Sequence, residues 1–297
     1  MLSQSVVLIT GASTGIGAAL SLQLARLYPG MRLVLAARNQ AKLTAIAEQC
    51  RNDGADPLVI PTDLAQIDQA QALATQALQH FGQVDILVNN AGYGQMGPLE
   101  LLTPEHCQRQ FAVNVMGPLA LTQQLIPAMR DRGGGRIINI SSIGGRTAFP
   151  FGGLYSGSKF ALEAISDALR MELAPFNIHV SLVEPGAVHN EFLEVVKQEI
   201  DTAIPAPDTT PYHAAFATFA QLEARTQATA WTSEQVATVI IQVMNAPQPR
   251  PRYVAATAGP FLVWLLTKVL PTPVVDRFWQ RFYGIDRIVP PPRSPTP

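Results

Sequence analysis

Tyr155 and Lys159 stand four residues apart in Tyr-Ser-Gly-Ser-Lys, so on a helix their side chains share one face, one turn apart. A phenol serves as proton donor to a carbonyl oxygen, or as base towards an alcohol, when its pKa falls from about 10 towards the working range. A neighbouring ammonium stabilises the phenolate, which predicts such a fall. A pair of this spacing is common on solvated helices, so a third group has to decide. Ser142 lies 13 residues upstream, just past the apolar run Arg136–Ser141. A strand there would bring its hydroxyl to the same edge, where it can hold the substrate oxygen. The three side chains predict the interconversion of a carbonyl and an alcohol.

A second motif predicts the co-reactant. Thr10-Gly11-Ala12-Ser13-Thr14-Gly15-Ile16-Gly17 follows an apolar run and precedes a helical pattern. Glycines let the backbone turn sharply and approach a pyrophosphate, and the helix start offers free N–H groups and a positive dipole end. Gly11, Ser13, Thr14, Gly15, Ile16 and Gly17 are the expected contacts. The residue about 20 positions on selects the cofactor: an acid suits a free ribose 2′-hydroxyl, an Arg a 2′-phosphate. Residues 36–39 read Ala-Ala-Arg-Asn, with no acid nearer than Glu48. Arg38 therefore predicts NADP(H) in preference to NAD(H). Asp63, at the end of the third apolar run, is expected at the adenine edge.

These side chains must be delivered by strands and helices. Ser5–Thr10, Arg32–Ala37, Leu58–Thr62, Asp85–Asn89, Arg136–Ser141, His179–Glu184 and Arg252–Ala255 read as strands, most of them continuously apolar, as when both sheet faces are covered. Between them run helical spacings such as Ile16, Leu20, Leu24 and Leu27, and a capping box from Thr232 to Gln235. The alternation predicts an α/β fold: a doubly wound, seven-stranded parallel sheet of the Rossmann type in a single domain over residues 1–256. Residues 187–230 interrupt the rhythm with Pro205, Pro207 and Pro211, and are expected to form a substrate-binding excursion or lid. Residues 257–297 form an apolar, Pro-rich extension whose last eight residues are expected to be disordered.

Taken in order and spacing, these motifs resemble the short-chain dehydrogenase/reductase family over about residues 5–255. Asn89-Asn90-Ala91-Gly92, Asn114 in Asn-Val-Met-Gly, and Pro185-Gly186 add to the glycine loop, Ser142, Tyr155 and Lys159. The resemblance implies a catalytic tetrad of Asn114, Ser142, Tyr155 and Lys159. It implies further that Asn90 lines the cofactor cleft, that Lys159 binds the nicotinamide ribose, and that Val188 contacts the carboxamide through its backbone. Where the family often has Thr, Asn190 stands, and Thr14 replaces the basic residue that many NADP-dependent relatives place before the second loop glycine.

Composition bounds the partners. A net charge of −1 without a basic block gives no nucleic-acid footprint, and two cysteines, Cys50 and Cys107, make neither a disulfide framework nor a zinc site. No targeting segment is visible, and the most apolar tail segment, Phe261–Leu270, is shorter than the ~20 residues a bilayer needs. The expected location is the cytoplasm, with the extension covering the body, a second copy in a homodimer, or a membrane surface peripherally. The pocket should draw on Ser142–Leu154, Gly92–Pro98 and the excursion, and Ile143, Phe149, Phe151, Leu154, Tyr93, Met96 and Phe192 make it apolar. Arg146 is its one cation. A lipid-, steroid- or retinoid-like ketone or alcohol is the expected small-molecule substrate. The alternatives are a 3-oxoacyl reductase and a non-catalytic dinucleotide-binding scaffold; an isomerase or dehydratase of the extended branch is disfavoured by the loop's glycine spacing.

Overall fold

Val, Ile and Leu dominate the seven expected strands, and the computed structural model, which describes residues 2–227 and 229–288, pairs all seven in one parallel sheet. The strands are β1 (Val6–Thr10), β2 (Arg32–Ala37), β3 (Asp56–Pro61), β4 (Ile86–Asn89), β5 (Gly135–Ile140), β6 (Ile178–Pro185) and, after the short β7 (Val188–His189) and β8 (Trp231–Thr232), β9 (Arg252–Ala255). Their order is β3-β2-β1-β4-β5-β6-β9. The order reverses between β1 and β4, which makes the carboxyl ends of those two strands the place where such a sheet binds ligands. Thr10 staples this point, its Oγ1 accepting from the backbone N–H groups of Asn90 and Ala91 at 3.0 Å each.

Helices cover both faces, which is why the strands show no alternation. On one face α1 (Gly15–Leu27), α2 (Gln40–Asn52) and α9 (Ser233–Asn245) bury Leu20, Leu24, Leu43, Val236 and Ile240 against β1 and β2. On the other, α3 (Ile67–Phe81), α5 (Gly117–Asp131) and α6 (Gly153–Leu173) bury Leu73, Leu121, Leu125 and Leu173. The expected stripe on α1 holds through Leu24, but Leu27 falls at the frayed end and is exposed. The Thr232–Gln235 capping box forms as expected, with both reciprocal bonds present. Short α4 (Pro104–Phe111) leads through a π-helical segment, Ala112–Met116, into α5.

The 187–230 excursion contains α7 (Phe192–Ala203) and α8 (His213–Gln227). Its two ends are tied to each other, because β7 and β8 pair in parallel through Val188–Trp231 and His189–Thr232. Beyond β9, α10 (Gly259–Trp264) and α11 (Thr272–Tyr283) form the extension. α11 turns Trp279 and Tyr283 inward against α8 and Phe149. Phe261, Trp264, Val274 and Phe278 face solvent. The last eight residues lie outside the described ones. Among the described residues no helix is long and apolar enough to cross a membrane.

Candidate active site

The glycine loop makes a cradle that only glycine fits. Gly11 and Gly15 hold φ of +67° and +53°, in the left-handed region that disfavours a side chain. A Cβ on Gly17 would lie 2.2 Å from the Gly11 carbonyl oxygen. Thr14 caps α1 without a side-chain bond to its first turn, so the N–H groups there remain open to an anion. Asn90 closes the cradle from β4, its Nδ2 donating to the Thr10 carbonyl at 2.9 Å. Asn190 covers it from above, with Nδ2 3.3 Å from where a Gly15 Cβ would stand. These residues fit a dinucleotide pyrophosphate.

Arg38 follows the last residue of β2; it is exposed, and it makes no ion pair among the described residues. Asp63 lies two residues beyond β3 and is half-buried, with its Oδ1 accepting from the Ala65 backbone N–H at 3.0 Å. Both stand on the β2–β3 side of the switch point. Val188 sits in β7, directly after the β6 turn.

The residues expected to do acid–base work converge at the carboxyl end of β5. Ser142 starts the short turn Ile143–Gly145, and its Oγ accepts from the Gly144 N–H at 3.0 Å. A Cβ on Gly144 would stand 3.3 Å from Ser142 Oγ and 3.4 Å from Tyr155 Cε1, so the hydroxyl and the phenol share one small space. Tyr155 and Lys159 share a face of α6, as expected, with Lys159 Nζ 5.8 Å from the Tyr155 ring centroid. Lys159 is buried and donates to the Ile140 carbonyl at 2.9 Å, which leaves two N–H groups for a ligand.

The electrostatics of the chain alone differ from the simple expectation. Burial holds the Tyr155 phenol above its ordinary value, and a hydrogen bond with Ser142 pulls it part of the way back. Burial acts on Lys159 as well: its ammonium is pushed down to about 8, with Glu163 acting the other way. Spacing reveals the pair, whereas the desolvation of both members depends on what covers them.

Asn114 sits in the π-helical segment, a distortion often found at functional sites. Its side chain is fully engaged: Nδ2 donates to the Tyr93 carbonyl and to Ser158 Oγ, and Oδ1 accepts from the Tyr93 N–H. A Cβ on Gly92 would lie 3.2 Å from Asn114 Oδ1 and 3.5 Å from Lys159 Nζ. Asn114 and Lys159 thus flank Gly92, and Asn114 pins the loop that follows β4.

Around Tyr155 lie Met96, Val196 and Ile200, with Phe149, Phe192 and Phe216 against them. Met96, Phe149 and Phe192 are where the sequence puts them, and Phe151 joins a second aromatic cluster next to it. Two expectations fail. Tyr93 packs under the Arg109 guanidinium, 4.9 Å from its ring, outside the cluster around Tyr155, and burial pushes its phenol up to about 12. Arg146 turns to the buried Glu184 at 3.0 Å, with 26% of its side chain left exposed. Sequence reasoning missed the roles of Trp279 and Tyr283; their spacing in an aromatic-rich helix is the signal that points to a packed inner face.

A seven-stranded Rossmann sheet with this loop and this Ser, Tyr and Lys defines a nicotinamide-dependent oxidoreductase. The family described as short chain dehydrogenase matches residues 5–201, and the chain belongs to the short-chain dehydrogenase/reductase family. It is an NAD(P)-dependent oxidoreductase acting on CH–OH groups. The chain is 34% identical over 262 residues to human 17-beta-hydroxysteroid dehydrogenase type 1, covering 85% of this chain and 77% of that one. The mouse protein of the same name is 36% identical over 251 residues, 84% of this chain and 73% of that one. A short-chain dehydrogenase/reductase from Burkholderia phymatum in complex with NAD superposes with a TM-score of 0.78 at 28% identity, covering 89% of this chain and 93% of that one. A metagenomic short-chain oxidoreductase in complex with NADP gives 0.67 at 29% identity, covering 85% and 97%.

Proposed function

We propose that this chain interconverts an apolar ketone and its secondary alcohol with NADP(H), with Ser142, Tyr155 and Lys159 as the catalytic residues. The observation that carries the reading is the position of Tyr155. Its phenol is buried among Met96, Val196, Phe149 and Phe192, next to the Ser142 hydroxyl. A carbonyl oxygen placed between the two hydroxyls accepts from both, and the apolar wall excludes water and strengthens these bonds. A bound nicotinamide would supply or accept the hydride. Tyr155 donates its proton to the oxygen in reduction and takes it back in oxidation. Ser142 orients the oxygen, and its bond from Gly144 fixes the hydroxyl.

Lys159 is placed to hold the nicotinamide ribose with the N–H groups that Ile140 leaves free, and its charge then favours phenolate at Tyr155. Asn114 contributes by position, holding the loop of Gly92 and Tyr93 beside Lys159. The loop of Gly11–Gly17 with Asn90, Val188 and Asn190 holds the dinucleotide. Arg38, exposed just past β2 and in no ion pair among the described residues, is the partner for a 2′-phosphate, which supports NADP(H). The aromatic lining and the hydroxysteroid dehydrogenases among the relatives support a steroid-sized apolar substrate.

The test is a spectrophotometric screen of the full chain with NADPH and NADH. Short ketones, long-chain ketones and a 3-ketoacyl thioester serve in reduction, and estradiol with the oxidised cofactors in oxidation. The expected result is the highest kcat/KM for NADP(H) with a bulky apolar substrate. Highest activity with NADH, or with small polar ketones, overturns the reading.

A further inference from the structure

Helix α6 carries a third polar residue on the face of Tyr155 and Lys159. Glu163, one turn beyond Lys159, is 5% exposed. Arg252 from β9 donates to its Oε2 at 2.9 Å, and also reaches Glu184 at 3.3 Å and Asp167 at 2.6 Å. Glu184, on β6, has no exposed side-chain surface and takes Arg146 as well. Three carboxylates from α6 and β6 therefore meet guanidiniums from β9 and from the turn after β5, with Arg170 on the rim pairing with Asp167.

This cluster abuts the active site. A Cβ on Gly145 would stand 3.2 Å from Glu163 Cγ, 3.2 Å from Lys159 Cβ and 2.7 Å from Ser141 Oγ. Binding the cofactor and moving the proton use none of its members. Burying ions is costly, and well-packed apolar residues often serve stability as well or better. Its placement under Lys159 supplies a reason for it.

We propose that Glu163 is a positioning residue for the reaction, held as a carboxylate by Arg252 so that Lys159 stays an ammonium in its buried site. The inference rests on the proposed role of Lys159 towards the nicotinamide ribose. Burial drives the Lys159 ammonium towards neutrality, and the charge on Glu163 opposes it. Burial raises the Glu163 carboxyl above its ordinary value and the charge of Glu184 adds to this, while Ser141 and Arg252 act the other way and favour the carboxylate. The charged groups on every side of the pair are thus Glu184 from β6, Arg252 from β9, Arg146 from the Ile143–Gly145 turn, and Asp167 with Arg170 from α6. The sheet's last strand is in this way coupled to Lys159 through the Arg252–Glu163 ion pair.

The experiment measures NADPH and NADH affinity of the full chain by fluorescence titration between about pH 6 and 10, for wild type, Glu163→Gln, Glu163→Asp and Arg252→Gln. Each variant is compared with wild type on the same ligand, so titration of the 2′-phosphate cancels. Binding that needs the ammonium is lost as pH rises through the Lys159 pKa. Removing the Glu163 charge should bring that loss about one unit lower, so affinity falls about 5-fold near pH 8 and approaches a loss of about 10-fold near pH 9, while that near pH 6 stays within about 2-fold. Arg252→Gln should shift it in the same direction, and Glu163→Asp should restore most of the wild-type profile. A loss uniform across pH, or equal in Glu163→Asp and Glu163→Gln, would show a structural role only and overturn the proposal. A wild type that prefers NADH overturns the cofactor preference instead, and the shift is then read with NADH.

Discussion

Tyr283, the last residue of α11, stacks on Phe149 with ring centroids 5.5 Å apart and planes 9° from parallel. Phe149 also touches the cluster around Tyr155, so the C-terminal extension stands one aromatic ring away from the proposed proton donor. Trp279 strengthens the tie, its indole N–H donating to Thr147 Oγ1 at 3.3 Å.

That contact makes the extension a wall of the pocket. Tyr283→Ala empties a buried aromatic site and should cost of order 3–5 kcal/mol of stability, read as a lower Tm. Freed of its partner, Phe149 gains room, so KM should rise more for a bulky apolar ketone than for a small one. Equal effects on both substrates would assign Tyr283 to stability alone. Removing residues 257–297 should leave the seven strands paired while baring Phe149 and Phe151, which circular dichroism and dye binding can read separately.

Tyr155→Phe removes one hydroxyl and little volume. Turnover should fall about 10²- to 10⁴-fold, the usual worth of a positioned acid, while NADPH affinity holds. Near-normal turnover on the best substrate of the screen would place the proton donor elsewhere.

Arg38→Ala removes an exposed guanidinium just past β2 that makes no ion pair among the described residues. A charge-assisted bond contributes about 1.5–3 kcal/mol, so NADPH should bind roughly 10- to 100-fold more weakly. NADH should be almost unaffected. Equal weakening of both cofactors in a calorimetric titration contradicts the 2′-phosphate assignment.

The two cysteines should differ in reactivity. Burial, followed by the charge of Asp53, pushes the Cys50 thiol up to about 11, whereas Cys107 is half-buried on α4. The thiolate is the reactive form. Native protein near pH 8 should therefore take one equivalent of iodoacetamide, mapping to Cys107, and a second only after denaturation. Fast native labelling of Cys50 would mean that α2 opens readily.

Most of the sheet can be read along the chain because its strands are buried on both faces and announce themselves as apolar runs. The glycine loop and the Tyr155–Lys159 pair are equally legible, being fixed by local spacing. Contacts between distant elements are not. Arg146 reads as a turn residue until β6 brings Glu184 beneath it, and Tyr93 reads as a pocket aromatic until α4 supplies Arg109. Glu163 looks like an ordinary helix residue, since its partner Arg252 lies 89 positions away. The Tyr155 phenol shows the same limit: a neighbouring cation can be inferred from the sequence, but the depth of burial that opposes it cannot.

The parallel pairing of β7 with β8 has a mechanical consequence. Because Val188 and Trp231 are bonded neighbours, the whole excursion leaves and re-enters the body through one narrow neck. Its ends are already together, so swinging α7 and α8 away from Tyr155 pays no new loop-closure entropy on return. Were the segment to swing, that neck would be its hinge, with Asn190 one residue beyond β7, over Gly15. The excursion and the dinucleotide cradle thus share Asn190 as a common support.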